Sequence, residues 1–149
     1  MATTLTPADL QSGERDLGVS SWHRIEQRQI DLFADATGDH QWIHVDPEMA
    51  QQGPFGTTIA HGYLSLSMVV MMLSEVLSVE GARMGINYGI DKVRFTAPVP
   101  VDSEVRLHAR LLEGEPRGEG VLYKVGVQVE IKGAEKPALV GEVLYLAFA

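Results

Sequence analysis

Cysteine is absent from this chain of 149 residues. Its absence excludes disulfide bonds, thiolate metal ligands and a cysteine nucleophile, and it fits a reducing compartment. Positive charge is also scarce, since 12 lysines and arginines face 20 acidic residues and leave a formal net charge of −8. This balance argues against nucleic acid or an anionic membrane surface as the main partner, although a local basic cluster could still hold a small anionic ligand.

Long hydrophobic runs are missing as well. The longest apolar stretch, near residues 63–77, is interrupted by serines and by Glu75, so it is too short and too polar for a membrane span. The N-terminal residues Met1–Asp9 have neither the basic region nor the apolar core of a signal peptide. The expected location is therefore the cytoplasm. The length predicts one domain over residues 1–149, in which residues 1–17 form a weakly structured N-terminal segment.

Three segments are predicted to be helical. Glu26–Thr37 has an amphipathic pattern, and Gly38 after it suits the left-handed residue that commonly ends a helix. Asp46-Pro47-Glu48 resembles an N-cap, a proline at the first helical position and an acidic first turn. Gly62–Val79 is apolar around nearly its whole circumference, so we expect a long helix that is buried on most sides.

The remaining apolar segments have the texture of strands, rich in β-branched residues and separated by turn residues. They are Val19–Ile25, Met84–Phe95, Glu104–Leu112, Val121–Ile131 and Leu139–Phe148. Because the helices come first and most strands follow consecutively, the predicted class is α+β, with an antiparallel β-sheet wrapped around a long buried central helix.

Two short motifs carry the residues best suited to chemistry. Asp39 and His44 lie five positions apart in a loop-like segment, and Gly62 opens the apolar helix. An acid/base pair and a free backbone N–H at a helix start are what an enzyme needs to add or remove water beside a carbonyl. The alternative is structural: Asp39 caps the next turn, His44 is a hydrogen-bonded core histidine, and Gly62 allows tight backbone packing.

The same motifs resemble a known family. Phe33–His44 with Asp46 and Ala50, then Ile59-Ala60-His61-Gly62, and later Arg94–Val99, are similar to the MaoC-like dehydratases and (R)-specific enoyl-CoA hydratases. The resemblance covers most of residues 20–148 and implies a single hot-dog domain. One departure is Gln41-Trp42, where the family has Asn-Pro. It removes a stiffening proline and adds a large aromatic ring beside the site, which bears on substrate preference more than on the chemistry.

The resemblance implies a reaction and roles for individual residues. The reaction is reversible addition of water to trans-2-enoyl-CoA to give (R)-3-hydroxyacyl-CoA, without a separate cofactor. Asp39 and His44 would activate the water, and the Gly62 N–H would bind the thioester carbonyl. Trp42, His61 and Tyr63 are the predicted substrate-binding residues, with a positioning role expected for His61. The resemblance also implies a homodimer.

Other interpretations of the polar residues are weaker. His40, His44 and Asp46 are close in sequence, with His61 further on, but no His-Glu-x-x-His motif is present and no metal is expected. Ser65 and Ser67 lack the Gly-x-Ser-x-Gly surroundings of a nucleophile, so we expect them to leave room for an acyl chain.

Two rival functions stay open at this point. A hot-dog thioesterase would hydrolyse the acyl-CoA and release a free thiol. A non-catalytic subunit would bind acyl-CoA or an acyl-carrier protein without turnover. The departure from the family pattern at Gln41-Trp42 is consistent with that hypothesis.

Overall fold

Eight strands and four α-helices make up the structure, a computed structural model that describes residues 1–149. In chain order they are β1 (Thr3–Leu5), β2 (Arg15–Val19), β3 (His23–Arg24), α1 (Gln27–Thr37), α2 (Trp42–Val45), α3 (Pro47–Gln51), α4 (Gly62–Ser74), β4 (Leu77–Val79), β5 (Met84–Phe95), β6 (Glu104–Arg117), β7 (Gly120–Ile131) and β8 (Leu139–Phe148). A turn of 3-10 helix, Asp9–Gln11, lies between β1 and β2.

Five strands form the main antiparallel sheet in the order β2-β6-β7-β8-β5, and β3 extends it beside β6. Alternate residues of β7 are buried, among them Val125, Val127 and Val129, because successive side chains of a strand point to opposite faces. The buried face packs against α4, which contacts β6, β7 and β8. This sheet around a central helix is the α+β, hot-dog architecture that was predicted.

Two predicted helix boundaries are confirmed: the end of α1 and the start of α3. Gly38 follows α1 in the left-handed region at φ 83°, and its N–H donates to the Ala34 carbonyl. Asp46 caps α3 by accepting a hydrogen bond from the Met49 N–H at 3.1 Å. Between them, α2 is a single helical turn, so His44 lies on a helix and only Asp39 lies in the loop that was expected for both.

The apolar helix α4 is shorter and less enclosed than predicted. It ends at Ser74, and Leu77–Val79 instead forms β4, which pairs in parallel with β1. The prediction of a helix to Val79 was wrong because the strand's partner comes from the distant N-terminus, which no local pattern reveals. In the single chain, α4 also exposes Tyr63, Val70 and Met71. No helix of the structure has the length and apolarity needed to cross a membrane.

The N-terminal segment is ordered, in contrast to the weak structure expected for residues 1–17. Leu5 and Leu10 are fully buried members of the main core. A Cβ at Gly114 of β6 would lie 2.2 Å from the Leu10 carbonyl oxygen, so the backbones touch where only glycine fits. Hydrophobic burial of widely spaced leucines, too few for a local pattern, therefore fixes this segment.

The strand predicted over Val19–Ile25 is divided in two. β2 ends at Val19 and β3 covers only His23–Arg24. At the break, the Ser20 hydroxyl accepts a hydrogen bond from the Leu107 N–H at 2.9 Å. A side chain thus replaces a backbone partner in the ladder, which interrupts the strand without leaving the Leu107 donor unpaired.

Candidate active site

An extended segment at residues 58–61 brings the two motifs together. The Ile59 N–H donates to the Ile43 carbonyl of α2 at 3.0 Å, and the Ala60 N–H donates to the Val99 carbonyl at 2.8 Å. The segment therefore connects α2 on one side to the turn after β5 on the other. It then delivers His61 and Gly62 to the start of α4.

The His44 ring is buried and fixed in one orientation. It is 6% exposed, and its Nδ1 lies 2.7 Å from the Ile59 carbonyl oxygen. A carbonyl only accepts, so Nδ1 carries the proton and Nε2 keeps its lone pair. Burial is the main cause that lowers the pKa of His44 below its ordinary value, and the neighbouring His61 lowers it further.

His61 contacts both Asp39 and His44. It is 2% exposed, and its Nε2 donates to the Asp39 backbone carbonyl at 3.0 Å. Its ring stacks on His44 with centroids 3.9 Å apart, and Phe33 packs at 4.9 Å. The His61 Nδ1 is buried without a hydrogen-bond partner. These contacts fit the positioning role expected for His61.

Asp39 presents its carboxylate to solvent beside the two imidazoles. One carboxylate oxygen accepts a long hydrogen bond, 3.3 Å, from the Gln41 N–H. A carboxylate oxygen of Asp39, a ring nitrogen of His44 and a ring nitrogen of His61 all lie within 4.8 Å of one another. Asp39 and His44 make no direct hydrogen bond, and their separation suits one water molecule that contacts both groups.

This cluster differs from the metal site considered from the sequence. His40 pairs with Asp35 at 2.9 Å, and Asp46 caps α3, so neither joins His44. The ring planes of His44 and His61 are nearly parallel, 23° apart, at a spacing of 3.9 Å. Nitrogen lone pairs in nearly parallel stacked rings do not converge on an ion about 2 Å from both, so this ring arrangement fits stacking better than coordination.

Gly62 is the first residue of α4, and its N–H has no acceptor within the chain. A free N–H at a helix start carries the positive end of the helix dipole. A Cβ at Gly62 would lie 3.0–3.1 Å from atoms of the Phe95 ring. The glycine thus serves both purposes that the sequence left open: it allows close packing and leaves a donor free.

His44 and Gly62 share a cavity of about 310 Å³. Its lining residues are His44, Phe55, Ile59, Ala60, Gly62, Ser65, Phe95, Thr96, Ala97, Pro98, Val99 and Ala138. Most of the wall is apolar, while His44, Gly62 and Ser65 bring polar groups. An apolar cleft with a few polar groups is typical of small-molecule sites.

Trp42 and Tyr63 do not line this cavity in the single chain. Trp42 is half-buried, and its ring packs against Gly53 so closely that a Cβ at Gly53 would lie 2.8 Å from the ring. Tyr63 is 67% exposed and makes an edge contact with Phe95, with centroids 5.8 Å apart. Phe55 and Phe95 are the aromatic residues that line the cavity. Phe95 belongs to the Arg94–Val99 motif, so the sequence did carry a signal for it.

Gln27 is a supporting residue that the sequence analysis missed. Its amide nitrogen donates to the His44 carbonyl at 2.8 Å, and its amide oxygen accepts from the Thr58 hydroxyl at 2.6 Å. It thus joins α1 to both segments of the site. A glutamine at a helix start carries no distinguishing local signal, so only the tertiary structure reveals this contact.

Comparison with known proteins identifies the family of the chain. A family model described as MaoC like domain matches residues 10–132. The 3-hydroxyacyl-thioester dehydratase Z of Mycobacterium tuberculosis is 50% identical over 145 residues, which are 95% of each chain. Nodulation protein N of Rhizobium leguminosarum bv. viciae is 48% identical over 128 residues, 84% of this chain and 80% of that protein. R-hydratase PhaJ1 from Pseudomonas aeruginosa superimposes with a TM-score of 0.75 at 27% identity, covering 95% of this chain and 84% of that one.

The chain is therefore a hydro-lyase, an enzyme that adds or removes water. The chain belongs to the MaoC-like domain family. The resemblance seen in the sequence is confirmed at the level of family and fold.

Proposed function

We propose that this protein is an (R)-specific enoyl-CoA hydratase, which reversibly adds water to trans-2-enoyl-CoA to give (R)-3-hydroxyacyl-CoA. The observation that carries the proposal is the juxtaposition of Asp39 and a neutral His44, with ligand atoms within 4.8 Å, at a cavity where the Gly62 N–H is free. The pair provides a site for water, and the free N–H provides a site for a carbonyl oxygen.

The residues divide the reaction between them. Asp39 holds a water molecule, and His44 Nε2 removes one of its protons as the oxygen bonds to C3. The electrons of the C2–C3 double bond move toward the thioester, whose oxygen gains enolate charge beside the Gly62 N–H. The proton that His44 removed from the water then goes to C2. One water proton thus ends on C2 and the other stays in the new hydroxyl, so the atoms balance.

The relatives support this choice of substrate. The protein that is 50% identical is named a 3-hydroxyacyl-thioester dehydratase, and dehydration is the reverse of the proposed reaction. The neighbour that is 27% identical is named an R-hydratase, which supports the (R) product. The thioester's own carbonyl accepts the electrons, so the proposed mechanism needs no separate cofactor. The proposal includes the cytoplasmic location predicted from the composition.

We also propose that the chain forms one domain and acts as a homodimer. The core cluster of 29 buried residues extends from Leu5 to Ala147. β5 is an edge strand, paired with β8 on one side only, and it exposes large apolar side chains, including Ile86, Tyr88 and Ile90. Long apolar edges favour pairing with another chain. Phe95 belongs to this edge and to the cavity wall, so a partner there would lie beside the site.

The decisive experiment is an assay with trans-2-enoyl-CoA of short and medium chain length. Loss of the conjugated enoyl absorbance and chiral analysis of the product measure the reaction and its stereochemistry. We expect the (R)-3-hydroxyacyl thioester, and we expect Asp39→Asn to lower its rate of formation by roughly 10²–10⁴. Release of a free thiol would instead identify a thioesterase. Tight acyl-CoA binding without turnover would identify a non-catalytic subunit.

A further inference from the structure

We propose that the Ser65 hydroxyl is a second hydrogen-bond donor to the substrate's thioester oxygen, beside the Gly62 N–H. This inference rests on the proposed function and adds a residue to it. Ser65 is 2% exposed, and its Oγ is one of only two buried side-chain N or O atoms that have no hydrogen-bond partner in the chain. The other such atom is Nδ1 of His61, which lies at the same site.

The other serines of α4 behave differently. The Ser67 hydroxyl donates to the Tyr63 carbonyl at 2.7 Å, and the Ser74 hydroxyl donates to the Met71 carbonyl at 2.6 Å. Such bonds to the preceding turn are the usual way for a helical serine to satisfy its hydroxyl. Ser65 is the exception on the same helix, although it is the most buried of the three.

The start of α4 explains why Ser65 is the exception. The carbonyl one turn before it belongs to His61, and that carbonyl already accepts the Leu64 N–H at 3.0 Å and the Ser65 N–H at 3.3 Å. A carbonyl oxygen has two lone pairs, and both are thus in use. The hydroxyl is left available, and a buried polar group without a partner is costly to maintain. Its presence therefore calls for a partner from outside the chain.

Ser65 and Gly62 are arranged to meet the same ligand atom. Residues three apart lie on one face of a helix, and helical side chains lean toward the helix N-terminus. The Ser65 hydroxyl therefore leans toward the end of α4 where the Gly62 N–H is free. Both residues line the cavity that contains His44.

The chemistry gives two donors a purpose. The thioester oxygen is a weak acceptor in the substrate and gains negative charge as water adds to C3. Donors placed where that charge develops stabilise the transition state more than the bound substrate. The hydroxyl is shielded from bulk water, so a hydrogen bond there does not compete with solvent. Its loss should therefore lower kcat more than it raises KM.

The test compares three variants of the full-length protein in the enoyl-CoA hydration assay. Ser65→Ala removes the hydroxyl, Ser65→Thr keeps it, and Ser74→Ala is the control on the same helix, away from the cavity. We expect Ser65→Ala to lower kcat by roughly 10- to 100-fold with little change in KM. Ser65→Thr should retain most of the activity, and Ser74→Ala should match the wild type. The melting temperature of Ser65→Ala should equal or exceed the wild-type value, because the variant removes an unpaired buried group.

Each other outcome overturns the assignment. A wild-type rate in Ser65→Ala, with the wild type active, would mean that Ser65 only leaves room for the acyl chain. A rise in KM alone would show binding of substrate and transition state alike. A parallel fall in activity and melting temperature would indicate a structural role. Absence of turnover in the wild type would contradict the proposed function itself, and the role of Ser65 with it.

Discussion

The imidazole rings of His44 and His61 stack at the start of α4, with centroids 3.9 Å apart and an interplanar angle of 23°. Each ring uses one nitrogen to donate to a backbone carbonyl, His44 to Ile59 and His61 to Asp39. The pair thereby joins the loop before α2 to the segment before α4. Because both carbonyls can only accept, the arrangement also fixes which nitrogen of each ring is free.

Asp39 and His44 should act as one unit. We expect Asp39→Asn and His44→Ala each to lower turnover by roughly 10²–10⁴, the scale of a general acid or base. In the proposed reaction both groups act on the same water, so the double variant should be little worse than either single one. Steady-state kinetics with trans-2-enoyl-CoA measure this, alongside circular dichroism as a check of folding. Near-normal rates in folded single variants would contradict the roles assigned here.

The lowered pKa of His44 predicts the pH profile. The base stays neutral below its ordinary pKa of about 6.5, so kcat/KM should hold through that value and fall only below it. Stability follows the same sign: between the folded-state pKa and about 6.5 the unfolded chain binds a proton that the folded chain does not, so stability decreases as the pH is lowered. Activity and denaturant unfolding, each measured against pH, check both.

His61 should influence that profile from outside the reaction. In His61→Asn the pKa of His44 should rise, because the substitution removes a neighbour that lowers it and lets more water reach the ring. The acid limb of kcat/KM should then move to higher pH. His40→Asn is the control, since His40 is exposed and pairs with Asp35. If the acid limb of the kcat/KM profile is at the same pH in His61→Asn as in the wild type, His61 has a packing role only.

Substitutions at Gly62 can separate the backbone donor from the lack of a side chain. Gly62→Ala and Gly62→Pro both add a Cβ against Phe95, but only proline removes the N–H. Proline is tolerated at the first position of a helix, and His61 before it already has the extended backbone that proline requires. We expect a modest loss for alanine and roughly a further 10²-fold loss in kcat for proline. Equal kcat values in the folded alanine and proline variants would show that the Gly62 N–H has no part in the reaction.

Leu10 should be important for stability even though it lies in the N-terminal segment. Its side chain is fully buried in the main core, so Leu10→Ala should lower the free energy of unfolding by about 2–5 kcal/mol. Leu32→Ala is the control, because Leu32 is 56% exposed on α1. Urea denaturation measures both. A stability loss no larger than the control's would mean that this segment contributes little to the core.

The edge strand β5 predicts how the chain self-associates. Ile90 is 51% exposed in the single chain, and an aspartate there would place charge within the proposed dimer surface. Light scattering should find a wild-type dimer and an Ile90→Asp monomer, while Leu32→Asp should remain dimeric. A monomeric wild type would contradict the homodimer proposal. A dimeric Ile90→Asp would move the interface away from this position.

Much of the fold was predictable because its signals are local. The glycine after α1, the Asp-Pro start of α3 and the alternating β-branched residues of β7 each indicate their structure within a few positions. The errors fall where the partner is distant. β4 depends on β1 at the other end of the chain, and β2 and β3 are separated by a side-chain contact with β6.

The sequence by itself determined the family, the fold class and the candidate residues Asp39, His44 and Gly62, because these are spaced along the chain in a recognisable order. Only the tertiary structure decided how they are held. The tautomer of His44 depends on the Ile59 carbonyl, and the free hydroxyl of Ser65 depends on a carbonyl that is already doubly used. Hydrogen-bond partners and burial are properties of segments packed together in space, and residue order alone does not contain them.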